Sequence, residues 1–405
     1  MTTVTIERLG LHGDGIASGP VYVARTLPGE TVEGTLEGSR LTAPRIVTPS
    51  LDRISPKCRH YKSCGGCALQ HASDGFVVDW QKDVVSRALE AVGLKAPIRN
   101  LHTSPTASRR RATLTGRRTK KGALVGFHGP ASDTLIAVPD CQVMRPALLA
   151  ALPALEEITS LAASRKSALR LSVTDTDTGL DVLVSAGKPL ENAMQARLID
   201  IANAAGFARI SWDDDVIIQR VAPVLQMGTA PVPIPPGAFL QATAEGEAAL
   251  LASVQDALGD ARKVLDLFAG CGTFALPLSL GAEVHAVESE QSLLGALDAG
   301  WRHSKGCKRV TTERRDLFRR PLTPDELKHY DAIVIDPPRA GAEAQMSEIA
   351  AAQVQRIASV SCNPVTFAQD AAILTNSGYK LDWIDIVDQF RWSTHIEIAA
   401  GLTLV

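Results

Sequence analysis

The sequence predicts a mixed α/β and β architecture. A doubly wound, mainly parallel Rossmann-like α/β unit lies at the C-terminal end, a small OB-like barrel at the N-terminal end, and a β-rich region between them. Three observations carry this. Residues 1–50 alternate short β-type runs with Gly/Pro turns ("VTIERLG", "GPVYVARTL", "ETVEGTLEG", "LTAPRIV"), which fits four or five strands of an OB-sized barrel. From residue 245 onward apolar strands alternate with helical segments, the mark of a parallel sheet with crossover helices. A chain of 405 residues is also long for one core, so two or three domains are expected.

Taken in order, the barrel is expected over residues 1–51. A cysteine-rich loop follows, and "DGFVVDWQKDVVSRALEAVGL" (74–94) then reads as a helix. Asp74 is placed to cap it, and Val77, Val78, Val84, Val85, Ala88, Leu89 and Val92 approximate one apolar face. The central β-rich unit is expected over 52–72 and 100–239, with the helical segment 73–99 packed on the C-terminal unit. Within the centre, "LRLSV" and "LDVLVS" flank a turn of Asp, Thr and Gly, a hairpin pattern. The C-terminal unit, 240–405, opens on the helix "AEGEAALLASVQDALGD" and runs through the strands of "VLDLF", "EVHAVE", "DAIVID", "IASVS", "YKLDWIDIVDQF" and "HIEIAAGLTLV".

Composition is that of an ordinary globular chain, with 45% hydrophobic and 21% charged residues. With a net charge of −2, affinity for a polyanion has to come from local clustering. No signal-type segment follows Met1 and no long apolar run occurs, which predicts a soluble, cytoplasmic protein with no membrane role. Seven cysteines in that compartment argue against a disulfide framework. Cys58, Cys64, Cys67 and Cys141 form C-x5-C-x2-C plus a distant fourth thiol. Zinc ribbons usually show two tight pairs, so an iron–sulfur-type trio with a remote ligand matches better, with zinc left open. Cys271 reads as packing and Cys307 as an ordinary thiol.

Two stretches carry chemistry. In "VLDLFAGCGTF" a strand ends at Asp266, and Gly270 and Gly272 let backbone approach a ligand before a helix N-terminus. The next strand ends in Glu288, placed to hold ribose hydroxyls. The third glycine of a dinucleotide loop is missing, which points to a ligand with a ribose and one carboxylate, such as S-adenosylmethionine. "DAIVIDPPRAG" and "ASVSCNPVTF" then deliver Asp336 and Cys362 to neighbouring strand ends. A thiol at the C-terminal edge of such a sheet faces the ligand crevice, which marks Cys362 as a nucleophile.

"CRHYKSCGGCALQH", "PGAFLQAT", "DLFAGCGTF", "DPPRAG", "SCNPVTF" and "STHIE" together resemble, in the same order, the S-adenosylmethionine-dependent RNA uracil-5-methyltransferases. The likeness is strongest to the ribosomal-RNA members with an N-terminal TRAM barrel and a [4Fe–4S] cluster, and it covers nearly the whole chain. It implies a class I methyltransferase fold for 240–405, a TRAM fold for the barrel, and a [4Fe–4S] cluster on Cys58, Cys64, Cys67 and Cys141. It further implies Cys362 as nucleophile on uracil C6 and Glu397 as the base that removes the C5 proton, with His395 orienting. Read alone, Glu397 would pass for a solvated surface carboxylate. Cofactor contacts by resemblance are Gln241, Phe268, Thr273, Glu288, Asp316 and Asp336, with Asp336 alternatively accepting from uracil N3–H. The family often carries Asn where this chain has Thr273 and Thr243.

"RRRATLTGRRTKK" (109–121) holds seven basic residues and no acid, and beside a TRAM-like barrel it reads as an RNA-contacting strip. RNA is thus the expected partner, ribosomal before transfer RNA, with no obligate protein partner. Two other readings compete. One is an adenine amino-methyltransferase, which would prefer an aromatic residue where Arg339 follows the prolines and leaves Cys362 unexplained. The other is a non-catalytic iron–sulfur RNA-binding protein.

Overall fold

The computed structural model describes residues 1–164 and 167–405. Five strands, Thr2–Leu9, Asp14–Ala17, Val21–Ala24, Thr31–Glu37 and Arg40–Thr48, close into a barrel. Ile6, Ala17, Val23, Val32 and Leu41 alternate inward along them and fill its small core.

An antiparallel-rich sheet of seven strands forms the middle of the molecule, in the order 215–219, 209–212, 179–185, 169–176, 111–119, 122–128, 135–137. Helices Leu152–Ala162 and Asn192–Ala205 bury Leu155, Ile158, Leu198 and Ile201 against it. The hairpin expected from "LRLSV" and "LDVLVS" is there, with Leu171 opposite Val184 and Val173 opposite Val182.

The C-terminal sheet has eight strands in the order 310–314, 283–288, 263–267, 332–335, 356–361, 397–404, 379–388, 98–103. The first five are parallel. Strand Glu397–Leu404 then runs antiparallel between Arg356–Ser361 and Tyr379–Asp388, pairing Ser361 with Ile398. Its N-terminal end therefore lies at the same sheet edge as the C-terminal ends of the parallel strands. Sequence order reverses between strands 263–267 and 332–335, and ligands bind at such a switch point.

Several local expectations are revised. Ser73, not Asp74, caps helix Asp74–Glu90: its hydroxyl accepts from the Phe76 amide at 3.2 Å, and Asp74 sits in the first turn. Trp80 and Gln81 share the buried face with Val77, Val84, Val85 and Leu89. Residues 98–103 do not start the central sheet; they add a parallel edge strand beside 379–388, pairing Ile386 with Leu101. The hairpin of Val224–Met227 and Ala230–Pro233 also packs toward the C-terminal unit, sharing a core with Leu276 and Leu297. Among the described residues no helix is long and apolar enough to cross a membrane.

Candidate active site

The sheet edge at the switch point opens into a cavity of about 640 Å3. Gln241, Phe268, Thr273, Glu288, Asp316, Asp336, Cys362 and Glu397 all line it. Residues spread over more than 150 positions meet there because Phe268, Glu288, Asp316, Asp336, Cys362 and Glu397 lie at or just beyond strand ends at one edge of one sheet, while Gln241 and Thr273 reach it from the segments leading into helices Ala244–Leu258 and Ala275–Leu278.

The glycine turn supplies the floor at one end. Gly272 has φ +99°, and a Cβ there would stand 2.8 Å from Leu276 Cδ1 and 2.9 Å from Leu297 Cγ, so no other residue fits. The Glu288 carboxylate accepts from the Gly270 amide at 3.1 Å and from the Ser289 and Glu290 amides at 2.6 and 3.1 Å. Held in this way, it presents a rigid acceptor to a hydroxylated ligand. Asp316 is fixed similarly, accepting from the Phe318 amide at 3.0 Å. The rings of Phe268 and Phe318 meet at 5.5 Å, an apolar flank between the two acids. Thr243 has no place in this set: its hydroxyl caps helix Ala244–Leu258, accepting from the Gly246 amide at 2.9 Å.

At the other end stand the reactive groups. Cys362 follows strand Arg356–Ser361, and Asn363 caps the next helix, its side chain accepting from the Val365 amide at 3.1 Å. The chain therefore turns at Cys362 and leaves the thiol facing the cavity. Burial, with Glu397 and Asp336 nearby, pushes the thiol up to about 11, while the Arg339 guanidinium opposes this. Glu397 is 4% exposed, not the solvated carboxylate its sequence context alone predicts. Burial and Asp336 raise it to about 8, against a hydrogen bond from Gln389. Loss of solvent raises Asp336 to about 7. Below them Asp266 is fully buried, and burial beside Asp336 and Glu288 lifts it well above the carboxylate range. His395 hydrogen-bonds Arg339 through Nδ1 and stands edge-on to Phe390, a brace for the guanidinium.

Cys58, Cys64, Cys67 and Cys141 line a second pocket, walled from the cavity by Arg109 and Phe390, with the guanidinium 5.5 Å from the ring centroid. The thiols are close enough that each of Cys58, Cys64 and Cys67 is raised by Cys141, burial being the larger cause. Among the described residues no three His, Cys, Asp or Glu side chains group as they would around a single metal ion. The four thiols share one pocket and offer soft sulfur donors, without being grouped around a common point in this structure.

The basic strip is divided. Arg110 is buried, ion-paired with Glu247 and donating to the Gln241 carbonyl at 3.0 Å, so it is structural. Arg109 lines the cavity, and Arg111 lies 4.3 Å from the ring centroid of the exposed Phe239 at its mouth. Only Arg117, Arg118, Lys120 and Lys121 form the free surface expected of the whole run, at the tip of hairpin 111–128. Sequence reasoning missed Gln389 and assigned no role to Arg109 or Arg339 in the site. The signal for Arg339 was its place directly after the prolines that end the Asp336 strand.

Residues 307–404 match the family model of tRNA (uracil-5-)-methyltransferase. The chain is 43% identical over 403 residues to an RNA methyltransferase of Brucella suis biovar 1, covering 99% of this chain and 97% of that protein. It is 45% identical to one of Mesorhizobium japonicum, over 98% of this chain and 97% of that protein. A 23S rRNA (uracil(1939)-C(5))-methyltransferase, RlmD, of Shewanella sp. is 29% identical over 98% of this chain and 94% of its own. In fold the chain is similar to the tRNA (uracil-54, C5)-methyltransferase of Pyrococcus abyssi, solved with S-adenosyl-L-homocysteine. That likeness has a TM-score of 0.79 at 22% identity and covers 99% of both chains. The full-length identity to these relatives, with a thiol and the carboxylates of Glu288, Asp316, Asp336 and Glu397 lining one cavity, places the chain in the RNA methyltransferase family, with a tRNA (uracil-5-)-methyltransferase domain at its C-terminal end.

Proposed function

We propose that this protein methylates uracil C5 in large-subunit ribosomal RNA through a transient bond from Cys362 to C6. The observation that carries the reading is the meeting of Cys362 and Glu397, on hydrogen-bonded neighbouring strands, in the cavity that also holds Glu288 and Asp336. Uracil C5 is too weak a nucleophile to attack a sulfonium unaided. The Cys362 thiol gives its proton to solvent, the Arg339 guanidinium favouring the thiolate, whose sulfur adds to C6 while the C5–C6 π pair moves toward the C4 oxygen as an enolate. S-adenosylmethionine, when bound, supplies the methyl group that C5 takes, and leaves as S-adenosylhomocysteine. Ionised Glu397 then removes the C5 proton, the C6–S bond breaks, and the thiolate departs.

Glu288 is suited to the ribose hydroxyls of the methyl donor, with Phe268, Thr273, Asp316 and Gln241 around the rest. Asp336 lies where it can meet either the donor or uracil N3–H. Arg111 on Phe239 and the hairpin tip offer stacking and phosphate contacts to RNA whose target base is unstacked. Cys58, Cys64, Cys67 and Cys141 would hold a [4Fe–4S] cluster, whose contribution is a cross-link between the 58–67 loop and the central sheet. The barrel would serve as a TRAM-type RNA contact.

The ribosomal target is supported by the RlmD relative, whose length this chain matches almost throughout. A transfer-RNA target is the second reading, favoured by the description of the matching family model. The test is incubation with 5-fluorouridine-substituted RNA and methyl donor. A covalent adduct that Cys362→Ala cannot form is expected, because fluorine blocks the final proton removal. Absence of both adduct and methyl transfer would remove the reading in favour of a non-catalytic RNA-binding protein.

A further inference from the structure

The outermost strand of the C-terminal sheet, Val310–Arg314, runs into the turn "RRDLFRR" (314–320) at the rim of the cavity. Four arginines flank one phenylalanine there, and none of the six motifs that resemble the family includes the turn. It is fixed from within. Leu317 is buried in the core, and the Asp316 carbonyl accepts from the Arg319 and Arg320 amides at 3.2 and 2.8 Å. Gln345 clamps Leu322 just beyond, accepting from its amide at 2.8 Å and donating to its carbonyl at 3.2 Å. A turn so anchored holds its outward side chains in place.

The four guanidinium groups differ in what they meet. Arg315 is drawn inward, donating to Glu313 at 2.6 Å and to the two Glu326 oxygens at 2.6 and 3.0 Å, which engages both carboxylates in a structural network. Asp316 turns to the backbone amides of Phe318 and Arg319, at 3.0 and 3.3 Å. Arg314 is exposed and donates to the Ser289 carbonyl at 3.1 Å. Arg319 and Arg320 have 89% and 69% of their side chains exposed, and their ion pairs with Asp316 and Glu313 are long, at 3.4 and 3.8 Å. Pairs so exposed contribute little, which leaves these charges available to a polyanion. Phe318 lines the cavity yet is 51% exposed. A lone exposed phenylalanine is ordinary. One set among outward guanidinium groups has the make-up of a single-strand platform, on which bases stack while the cations follow the backbone.

We propose that Arg314, Phe318, Arg319 and Arg320 form a second RNA-contacting surface, which holds single-stranded nucleotides flanking the target uridine. The inference rests on the proposed methylation of RNA. Sheet order sets the distance: strand 310–314 lies four places from strand 356–361, roughly 19 Å at about 4.8 Å per strand. A nucleotide on Phe318 is therefore several positions along the RNA from the base at Cys362. Arg111 and Phe239 repeat the pairing of cation and ring at the same cavity, from the central unit. A strand held at both platforms leaves the base between them free to enter the cavity, because contacts to its neighbours offset the loss of stacking. On a chain of net charge −2, cations gathered at one rim also direct a polyanion to it.

The test is retention of an oligouridylate of roughly twenty nucleotides, longer than one single-strand site, by filter binding across a salt series. The full-length chain is compared with an Arg314→Gln/Arg319→Gln/Arg320→Gln variant, with the same three positions changed to Lys, and with Phe318→Leu. The glutamine variant should flatten the slope of log affinity against log salt by about 0.7 for each phosphate released. The lysine variant should keep the wild-type slope, since it keeps the charges. Phe318→Leu should keep the slope and lower affinity roughly fivefold or more, as the loss of one stacked base does. A wild-type slope in the glutamine variant, or equal slopes in the glutamine and lysine variants, would overturn the proposal. So would a loss of S-adenosylhomocysteine affinity in the glutamine variant that matches its loss for RNA, because the arginines would then act by holding Asp316. Methyl transfer to uridine RNA by wild type is assayed alongside. If wild type methylates RNA and the variants bind it unchanged, this surface alone fails; a wild type that neither binds nor methylates RNA ends the proposed function as well.

Discussion

Replacing Glu397 by Gln should push the two halves of the reaction in opposite directions. Glu397 titrates at about 8, so roughly one molecule in ten carries it ionised at pH 7 and about nine in ten at pH 9. Cys362 titrates at about 11, so about one thiol in ten thousand is ionised at pH 7 and roughly one in a hundred at pH 9. A like charge nearby is worth about one unit or more on such a thiol. Removing it at pH 9 should speed addition to C6 roughly three- to tenfold, the gain tempered because a less basic thiolate is also a weaker nucleophile. At pH 6.5, where Glu397 is already protonated, the same substitution should leave the addition step unchanged. Proton removal from C5 should meanwhile slow by about 10²–10⁴-fold at pH 9, and by less at pH 6.5, where little of the wild-type base is ionised. Single-turnover adduct formation with 5-fluorouridine RNA reads the first step, and adduct decay on uridine RNA reads the last. Product release at the wild-type rate, or a variant-to-wild-type ratio for addition that does not change between the two pH values, would refute the reasoning.

Other outcomes follow from the geometry. Arg110→Met strands Glu247 without its cation and should cost roughly 3–5 kcal/mol, seen as a lowered urea midpoint; an unchanged midpoint would show the pair to be dispensable. Neutralising Arg117, Arg118, Lys120 and Lys121 together should flatten the salt dependence of RNA affinity by about 0.7 for each single-strand phosphate that no longer meets a cation, measured by filter binding across a salt series. Gly272→Ala forces a Cβ against Leu276 and Leu297 at a positive φ, and calorimetric titration with S-adenosylhomocysteine should show binding weakened at least tenfold. Anaerobic purification should yield about four iron and four sulfide per chain, and Cys67→Ser should lose that iron; colourless protein with stoichiometric zinc would contradict the cluster.

The face that carries the candidate site was legible because a parallel sheet turns local sequence into shared position. Asp266, Glu288, Asp336 and Cys362 each follow an apolar run, and every such run ends at the same edge. Glu397 was not legible from pattern. It begins an antiparallel strand, and only the long-range pairing of Ser361 with Ile398 brings it to that edge. Gln389 was hidden for a similar reason, since its partners Gln241 and Ala242 lie almost 150 residues away. The basic strip misled because it crosses three local settings: Arg109 and Arg110 precede strand 111–119 and face the cavity and a core ion pair, Arg111 opens the strand beside the rim, and the last four cations lie at the hairpin tip. Residues 98–103 lacked strong apolar alternation and joined the C-terminal sheet as its outermost strand, where one side of the backbone needs no partner.

The proposed nucleophile and base, Cys362 and Glu397, stand at the end of one ladder, just beyond the pairing of Ser361 with Ile398, and this constrains how the protein can move. Backbone hydrogen bonds on both flanks of strand 397–404 set the interval between sulfur and carboxylate before any substrate arrives, and domain motion cannot widen it. Adjustment to a particular RNA must then fall to the rim, where Arg111, Phe239 and the hairpin tip can shift while the two reacting groups keep a constant gauge.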